Sequence, residues 1–257
     1  THCISSAASD VYKRQDWKSS ARAGELLIKS YRAERRHTLA FVVPTGGSLA
    51  SAATLTHSKI DVVLATIGVL AWVACHQGDY VTVIAPGKDG PSVARPSYRD
   101  TQIEHMLAGL DAGCRLEAPD PDLVELLDLT ASGLRRRCIV VVVLDDWDPR
   151  PADVDALASL CARHEVLAIE VSDLDLTDPA LAAVPTRDQA SGQPVPGFVA
   201  RDRQVREQAV AARQERARRR GHTLDRLGII HESVADVDDS IAAIVRLLER
   251  MRHASRH

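Results

Sequence analysis

The sequence feature that most constrains the fold is the run from Ile139 to Leu144, six consecutive apolar residues without polar alternation. Such a run is typical of a central strand in a parallel sheet, because helices cover both faces of such a sheet. A helical pattern opens at Pro151, a favoured first-turn residue, and a second strand-like segment follows over 164–171. Strand, helix and strand at this spacing predict a right-handed βαβ unit.

The rest of the chain repeats this alternation. Strands are predicted over 39–43 and 80–85 and near 229–230, and helices over 60–76, 101–110, 121–136 and from about 237 onward. The Pro, Gly and Ser content of 86–97 predicts a loop, and 172–199 reads as an extended connection. The 257 residues therefore predict an α/β fold, a doubly wound, mostly parallel sheet with helices on both faces.

One apolar segment raises the question of a membrane. The stretch from Val62 to Cys75 is apolar except for Thr66 and Gly68. A bilayer span needs roughly 20 apolar residues, and a shorter run is more often a buried helix. We predict that this segment is a core helix of the domain.

Charge and cysteine content exclude some classes of function. The formal net charge of -3 gives no general attraction to nucleic acid. The five cysteines form no CxxC pair and no zinc spacing, which favours a reducing compartment. The segment from Arg201 to Arg220 contains eight arginines and three acidic residues. Such a run usually forms the solvent-exposed face of a helix, and RNA binding is an alternative interpretation.

Two predicted loops stand where chemistry could occur, since ligands of such sheets bind beyond the carboxyl ends of the strands. The first loop runs from Pro44 to Ser48, and the second contains Asp145, Asp146 and Trp147. The two loops would meet if their strands are neighbours. Adjacent side chains diverge, so Asp145 and Asp146 should point to different surroundings. Trp147 either packs over the sheet edge or anchors a partner.

The sequence gives less support to a catalytic role for these loops. Gly46-Gly47 could cradle a phosphate, yet the loop lacks the lysine of a P-loop and the G-x-G-x-x-G spacing. A structural turn is favoured, and a nucleotide- or phosphate-binding enzyme using Gly46 and Gly47 remains the alternative. None of the histidines stands with a Ser or Cys in a nucleophile motif, so we predict no catalytic residues and no enzyme activity.

A resemblance to a known family rests on a short N-terminal motif. Residues 16–22, DWKSSAR, are similar to the D-W-x-x-S-A-R signature of the bacterial family called domain of unknown function fifty-eight, and the positions that match are Asp16, Trp17, Ser20, Ala21 and Arg22. Further landmarks of that family follow in order at Ile60-Asp61, Gly78-Asp79 and 163–166. The chain is thus identified as a member from about 16 to 252.

The resemblance implies a von Willebrand A-like domain with a damaged metal site. Such domains often hold Mg²⁺ in a D-x-S-x-S loop, and those positions fall here on Pro44, Gly46 and Ser48. Only Ser48 keeps an oxygen ligand, with Asp145 or Asp146 as the possible distal carboxylate, and no Thr in 86–101 can be assigned. Mg²⁺ prefers oxygen ligands with one or two carboxylates, so we expect Mg²⁺ to bind weakly if at all, and no other cofactor.

The resemblance also implies partners and location. Family members are typically anchored by upstream membrane helices and encoded beside MoxR-type AAA+ ATPases. We therefore expect a cytoplasmic domain of a parent attached to the inner membrane. Its expected role is that of a non-enzymatic interaction and scaffold domain, acting with such an ATPase in the assembly or maturation of protein complexes. Asp146 and Trp147 are the predicted partner-binding residues, and no nucleic acid is expected to bind.

The two ends of the chain are interpreted separately. Residues 1–15 look like adapter-derived or otherwise non-native leader sequence and are excluded from the fold argument. Residues 16–36 are interpreted as the end of an upstream module that carries the signature. Residues 37–257 are interpreted as the von Willebrand A-like domain.

Overall fold

A computed structural model describes residues 36–88 and 90–254. Contacts divide the chain into two units, Thr1–Arg36 and His37–His257, and the description below concerns the second unit. The interpretations of 1–15 and 16–36 stay predictions, because those residues, including the signature at Asp16, Trp17, Ser20, Ala21 and Arg22, lie outside the described part except for Arg36.

The core of the domain is a six-stranded sheet. Its strands are β1 (Thr38–Val42), β2 (Tyr80–Gly87), β3 (Gly90–Val93), β4 (Ile139–Leu144), β5 (Glu165–Val171) and β6 (Ile230–Val234). The order is β3-β2-β1-β4-β5-β6, and every neighbouring pair is parallel except β2 with β3. This order confirms the predicted doubly wound α/β class.

The predicted loop over 86–97 is wrong in part, because β3 lies within it as an antiparallel edge strand. Gly87 and Gly90 face each other across a tight hairpin, and Pro86 faces Pro91. Proline lacks the N–H that a central strand donates, so it is tolerated in strands mainly at edges. The same Pro and Gly content that suggested a loop therefore suits a short edge strand.

Helices cover both faces of the sheet, as predicted. The helices in chain order are α1 (Gly47–Ala50), α2 (Lys59–His76), α3 (Asp100–Gly113), α4 (Leu123–Gly133), α5 (Pro151–Cys161), α6 (Phe198–Arg201), α7 (Arg203–Arg226) and α8 (Ser240–Ala254). Helices α2, α3 and α8 bury their apolar sides in one core cluster. Helices α4, α5 and α7 contribute to the other cluster.

The alternation of side chains along each strand produces these two clusters. In β4, Val141 and Val143 face the first cluster, whereas Val140, Val142 and Leu144 face the second. Each of these five side chains is almost completely buried. A fully apolar run is therefore what the position of β4 in the middle of the sheet requires.

Helix α2 is the apolar segment for which a membrane was considered. Among the described residues it is the one helix long and apolar enough to cross a bilayer, a test that core helices also pass. Here Val62, Val63, Ile67 and Leu70 are buried in the first cluster. The core-helix prediction is confirmed for the folded domain.

The ends of α2 explain its length. Ser58 caps the first turn, with its hydroxyl accepting from the Asp61 N–H while the Asp61 carboxylate accepts from the Ser58 N–H at 2.9 Å. After the last turn, Gly78 adopts a φ of +82°, a left-handed conformation that favours glycine. The chain then reverses directly into β2.

Three predicted segments have different bounds in the structure. The connection over 172–199 contains a 3-10 turn at Pro179–Ala183, and the arginine-rich helix extends to Arg226. The last helix was predicted from about 237 onward, and residues 237–239 instead form a 3-10 turn, Val237–Asp239, immediately before α8.

Candidate functional site

The candidate site lies at the carboxyl ends of β1 and β4, where the strand order reverses direction. In open α/β sheets this reversal leaves a crevice that commonly binds ligands. A cleft of about 530 Å³ opens there, and its wall contains both apolar and acidic side chains. The loop after β1, the loop after β4 and the start of α4 form it: Pro44, Ser48, Asp120, Pro121, Asp122, Leu123, Val143, Leu144, Asp145, Trp147, Asp148, Arg150 and Asp153.

The structure brings together the two predicted ligand residues. Because β1 and β4 pair in parallel, their following loops are adjacent, and the Ser48 hydroxyl donates to Oδ2 of Asp145. Pro44 and Gly46 stand on the same loop and offer no side-chain oxygen. Across 36–88 and 90–254, no three His, Cys, Asp or Glu side chains are grouped so that they could hold a metal ion.

A buried lysine occupies the space beside these two residues. The Lys59 ammonium lies 3.5 Å from Oδ2 of Asp145 and forms a second ion pair with Asp173, which follows β5. Only 3% of the Lys59 side chain is exposed. The loops after two adjacent strands, β4 and β5, therefore converge on one internal cation.

The glycine loop is filled by the protein's own chain. The Gly47 N–H donates to the carbonyl of Ala118 at 3.0 Å, and the Ser48 N–H donates to the Asp120 carboxylate at 2.8 Å. A Cβ on Gly46 would lie 2.6 Å from Oδ1 of Asp120, and one on Gly47 would lie 2.8 Å from the Leu116 carbonyl. The glycines thus permit close approach of segment 116–120, and this contact argues against a phosphate cradle.

Trp147 is held firmly at the rim of the cleft. Its indole Nε1–H donates to Oδ2 of Asp153 at 3.1 Å, and its ring packs partly against the second core cluster. Arg150 donates to both oxygens of the same carboxylate, at 3.0 and 2.6 Å, and reaches Asp122 at 2.8 Å. Burial acts to raise the pKa of Asp153, but the hydrogen bonds from Arg150 and Trp147 lower it below its usual value.

Asp146, a predicted partner-binding residue, faces away from Asp145 and is not part of the cleft. Its carboxylate accepts from Arg220 at 2.6 Å and lies 3.4 Å from Nε of Arg216, so it contacts α7. The divergence of the two adjacent aspartates agrees with the sequence argument. The carboxylate of Asp146 is thus already engaged within the domain.

A second charged cluster joins β5, β6 and α7. Glu170 accepts from Nε of Arg220 at 3.0 Å and from Nδ1 of His231 at 3.0 Å, and Nε2 of His231 lies 3.3 Å from Asp225. Burial acts to raise the pKa of Glu170, but the hydrogen bonds from His231 and Arg220 lower it overall. The hydrogen bond to Glu170 raises the pKa of His231 against the opposing effect of burial.

This cluster predicts a pH dependence of stability. Because the folded pKa of His231 lies above its ordinary value of 6.5, the stabilisation is complete below about pH 6.5. It is lost as the pH rises through the folded pKa. We therefore expect the His231→Asn variant to lose more unfolding free energy, relative to the parent, at pH 6 than at pH 9.

Denaturant titrations at the two pH values measure this difference. The exposed His105 of α3 provides a matched control, and His105→Asn should differ little from the parent at either pH. An equal loss for His231→Asn at pH 6 and pH 9 would show that the imidazolium form does not stabilise the fold.

The arginine-rich helix is partly tied to the domain. Arg213 pairs with Asp175 at 2.9 Å and holds the pKa of that carboxyl at about 2, and Arg220 and Arg216 face Asp146. Arg218 and Arg219 are exposed on the same helix. The solvated-face interpretation thus describes only part of α7, and the absence of nucleic-acid binding stays a prediction.

Sequence reasoning missed Lys59, Asp120 and Asp173. One signal was available, since Lys59 is a cation in the first turn of a helix, where the macrodipole disfavours positive charge. A cation at such a position suggests a specific carboxylate partner. Asp120 and Asp173 carry no local pattern, because their roles depend on which loops the sheet brings together.

Solved structures with a similar fold include three of different origin. The pilus adhesin SpaC from Lactobacillus rhamnosus GG has a TM-score of 0.52 at 11% identity, covering 86% of this chain and 30% of that one. An aerotolerance-related membrane protein from Bacteroides fragilis has a TM-score of 0.46 at 14% identity, covering 83% and 99%. A structure described as von Willebrand factor type A from Catenulispora acidiphila has a TM-score of 0.39 at 15% identity, covering 65% and 41%.

Curated relatives are longer than this chain. The uncharacterized protein Rv1480 of Mycobacterium tuberculosis is 28% identical over 192 residues, which covers 71% of this chain and 58% of that protein. The uncharacterized protein Mb1516 of Mycobacterium bovis matches with the same identity and coverage. The chain therefore spans less than two thirds of the length of these relatives.

A family model gives the assignment. The model for the family described as protein of unknown function DUF58 matches residues 7–219, well over half of the chain. The match includes the signature at 16–22, the loops around the cleft and most of α7. By this match the chain belongs to the DUF58 family, and its sheet is of the α/β class that the resemblance implied.

Proposed function

We propose that this domain recognises another protein through the loops at the carboxyl edge of its sheet, as a scaffold and not as an enzyme. The cleft beside Trp147 is the observation that carries the proposal, because it joins apolar walls and exposed carboxylates on a rigid sheet. Loops from different strands can present one adaptable surface on such a support. Interfaces commonly pair an aromatic anchor with a polar rim.

The rim of the cleft suggests the chemistry of the contact. Asp120 and Asp148 are exposed, and Arg150 already pairs with Asp122 and Asp153. The surface offered to a partner is therefore negative beside an indole ring. Such a surface favours a partner segment with basic and apolar side chains.

The polar groups near the cleft support a non-catalytic role. The Ser48 hydroxyl donates to Asp145, and that carboxylate also faces the Lys59 ammonium. An ammonium has no lone pair with which to accept a proton. The residues that line the cleft include no histidine or cysteine, so the Ser48 hydroxyl has no imidazole beside it of the kind that usually activates a serine nucleophile.

The partner we propose is a MoxR-type AAA+ ATPase, in an assembly or maturation system. This part of the proposal is supported by membership of the DUF58 family and by the association that the resemblance implies. We also propose that the parent protein is anchored in the inner membrane upstream, with this domain in the cytoplasm. No nucleic acid is assigned as a ligand.

Binding of the purified chain to that ATPase tests the proposal, with affinity measured by biolayer interferometry. Truncating an aromatic anchor typically costs about 2 kcal/mol, roughly thirtyfold in Kd. We expect a loss of this size for Trp147→Ala and a comparable loss for Asp148→Lys, which reverses an exposed charge. Thermal melting of each variant checks that the fold is retained.

Arg218→Ala is the matched control, because Arg218 is exposed on α7 and does not line the cleft. Loss of binding only in that variant would move the binding face to α7. Absence of any binding, together with turnover of a nucleotide by the chain alone, would overturn the scaffold proposal.

A further inference from the structure

Lys59 is buried at a point where the fold family implies a metal ion. It is the first residue of α2, and its ammonium faces carboxylates that follow two different strands, Asp145 after β4 and Asp173 after β5. A buried ammonium is costly unless it is paired. Two carboxylates within reach supply that pairing.

The same oxygen of Asp145 is contacted from two sides. The Ser48 hydroxyl and the Lys59 ammonium both approach Oδ2. A Mg²⁺ ion held by Ser48 and this carboxylate would lie close to the ammonium. The positive charges of the ion and of the ammonium would repel each other strongly, because the ammonium is buried away from solvent.

The other positions of the expected metal site do not supply further oxygen ligands for Mg²⁺. Pro44 and Gly46 bring no side-chain oxygen to the loop after β1, and the Ser48 N–H is directed to Asp120. Mg²⁺ demands nearly octahedral oxygen coordination and loses its waters reluctantly. The residues present therefore do not fit a divalent cation.

We propose that the Lys59 ammonium is the built-in cation of this site and takes the place of a metal ion. It links the loops after β1, β4 and β5 through Asp145, Asp173 and the Ser48 hydroxyl. The arrangement of the binding face then requires no metal. Only this last consequence rests on the proposed function, because the occupancy of the site can be tested without a partner.

The test uses Mn²⁺ as the probe, measured by calorimetry and by electron paramagnetic resonance on the full chain. We expect no binding by the parent below millimolar concentration. Lys59→Ala removes the ammonium, opens space and leaves Asp145, Asp173 and Ser48, so it should bind Mn²⁺ at least tenfold more tightly. Adding Asp145→Asn to that variant should abolish the gain.

Lys88→Ala is the control, because Lys88 is the other lysine of the described residues and is exposed after β2. Lys59→Ala leaves two carboxylates uncompensated and can fail to fold without metal. In that case its refolding from urea is compared with and without Mn²⁺, and rescue by Mn²⁺ supports the proposal.

Three results would overturn the proposal. The first is micromolar Mn²⁺ binding by the parent. The second is a folded Lys59→Ala variant that binds Mn²⁺ no more tightly than the parent. The third is an unfolded variant that Mn²⁺ does not rescue. None of these results depends on partner binding, so they are distinguishable from a failure of the proposed function.

Discussion

Replacing Leu70 with Asp is expected to destabilise the domain by about 4 kcal/mol or more. Leu70 lies in the middle of α2, is 6% exposed, and packs in the first core cluster. An aspartate there would place an unpaired carboxylate among apolar side chains. Urea or guanidinium titration of the parent and the variant measures the change in unfolding free energy.

Trp72 gives the control for this prediction, because it lies two residues further along α2 and is 59% exposed. Trp72→Asp should change the unfolding free energy by less than about 1 kcal/mol. If Leu70→Asp has the same unfolding free energy as the parent and the chain requires detergent to stay in solution, then α2 is a membrane helix and not a core helix.

Removing Glu170 should have the next largest effect. Glu170→Ala leaves the half-buried Arg220 and His231 without the carboxylate that both of them contact. Breaking a buried ion pair by removing one partner typically costs about 3–5 kcal/mol, because the remaining charge stays desolvated. We expect a loss of about 3 kcal/mol and faster hydrogen exchange in the second half of α7.

Two variants separate charge from packing in this cluster. Glu170→Gln keeps the shape and an acceptor oxygen, so its loss should be smaller than that of Glu170→Ala. Glu207→Ala removes an exposed i,i+4 partner of Arg203 and should cost less than about 1 kcal/mol. Equal effects of Glu170→Ala and Glu207→Ala would show that the buried cluster does not hold α7 on the sheet.

The fold could be predicted from the sequence where apolar pattern and position agree. The unbroken apolar run Ile139–Leu144 predicted a strand covered by helices on both faces. In the structure β4 is buried on both faces. Helix α5 begins at Pro151 as predicted. Strand β3 was missed because an edge strand tolerates the prolines and glycines that indicate a loop in any other place.

The candidate site was predictable only to the level of its loops. The sequence predicted that the loops carrying Ser48 and Asp145 would meet if their strands were neighbours, and the pairing of β1 with β4 places these two side chains in contact. The other contacts of the site depend on residues that are far apart in the sequence. Lys59 follows a helix cap in sequence, and only the order of β1, β4 and β5 brings it to Asp145 and Asp173.

The roles of Trp147 and Asp146 also could not be predicted from the sequence alone. Sequence alone left Trp147 between packing and binding, and the structure gives it a buried edge, a hydrogen bond to Asp153 and a surface in the cleft. Asp146 was predicted, together with Trp147, to bind the partner. Its ion pairs with α7 make Asp148 the better candidate for a direct contact.

The most direct test of the central claim is site-specific photo-crosslinking in cells that express this domain together with the proposed MoxR-type ATPase. A benzoylphenylalanine replaces Asp148 at the cleft, Trp72 on α2 or Arg218 on α7, each of which is exposed. We predict a covalent adduct with the ATPase from position 148 and none from positions 72 and 218. Adducts from 72 or 218 in the absence of one from 148 would contradict recognition through the carboxyl edge of the sheet.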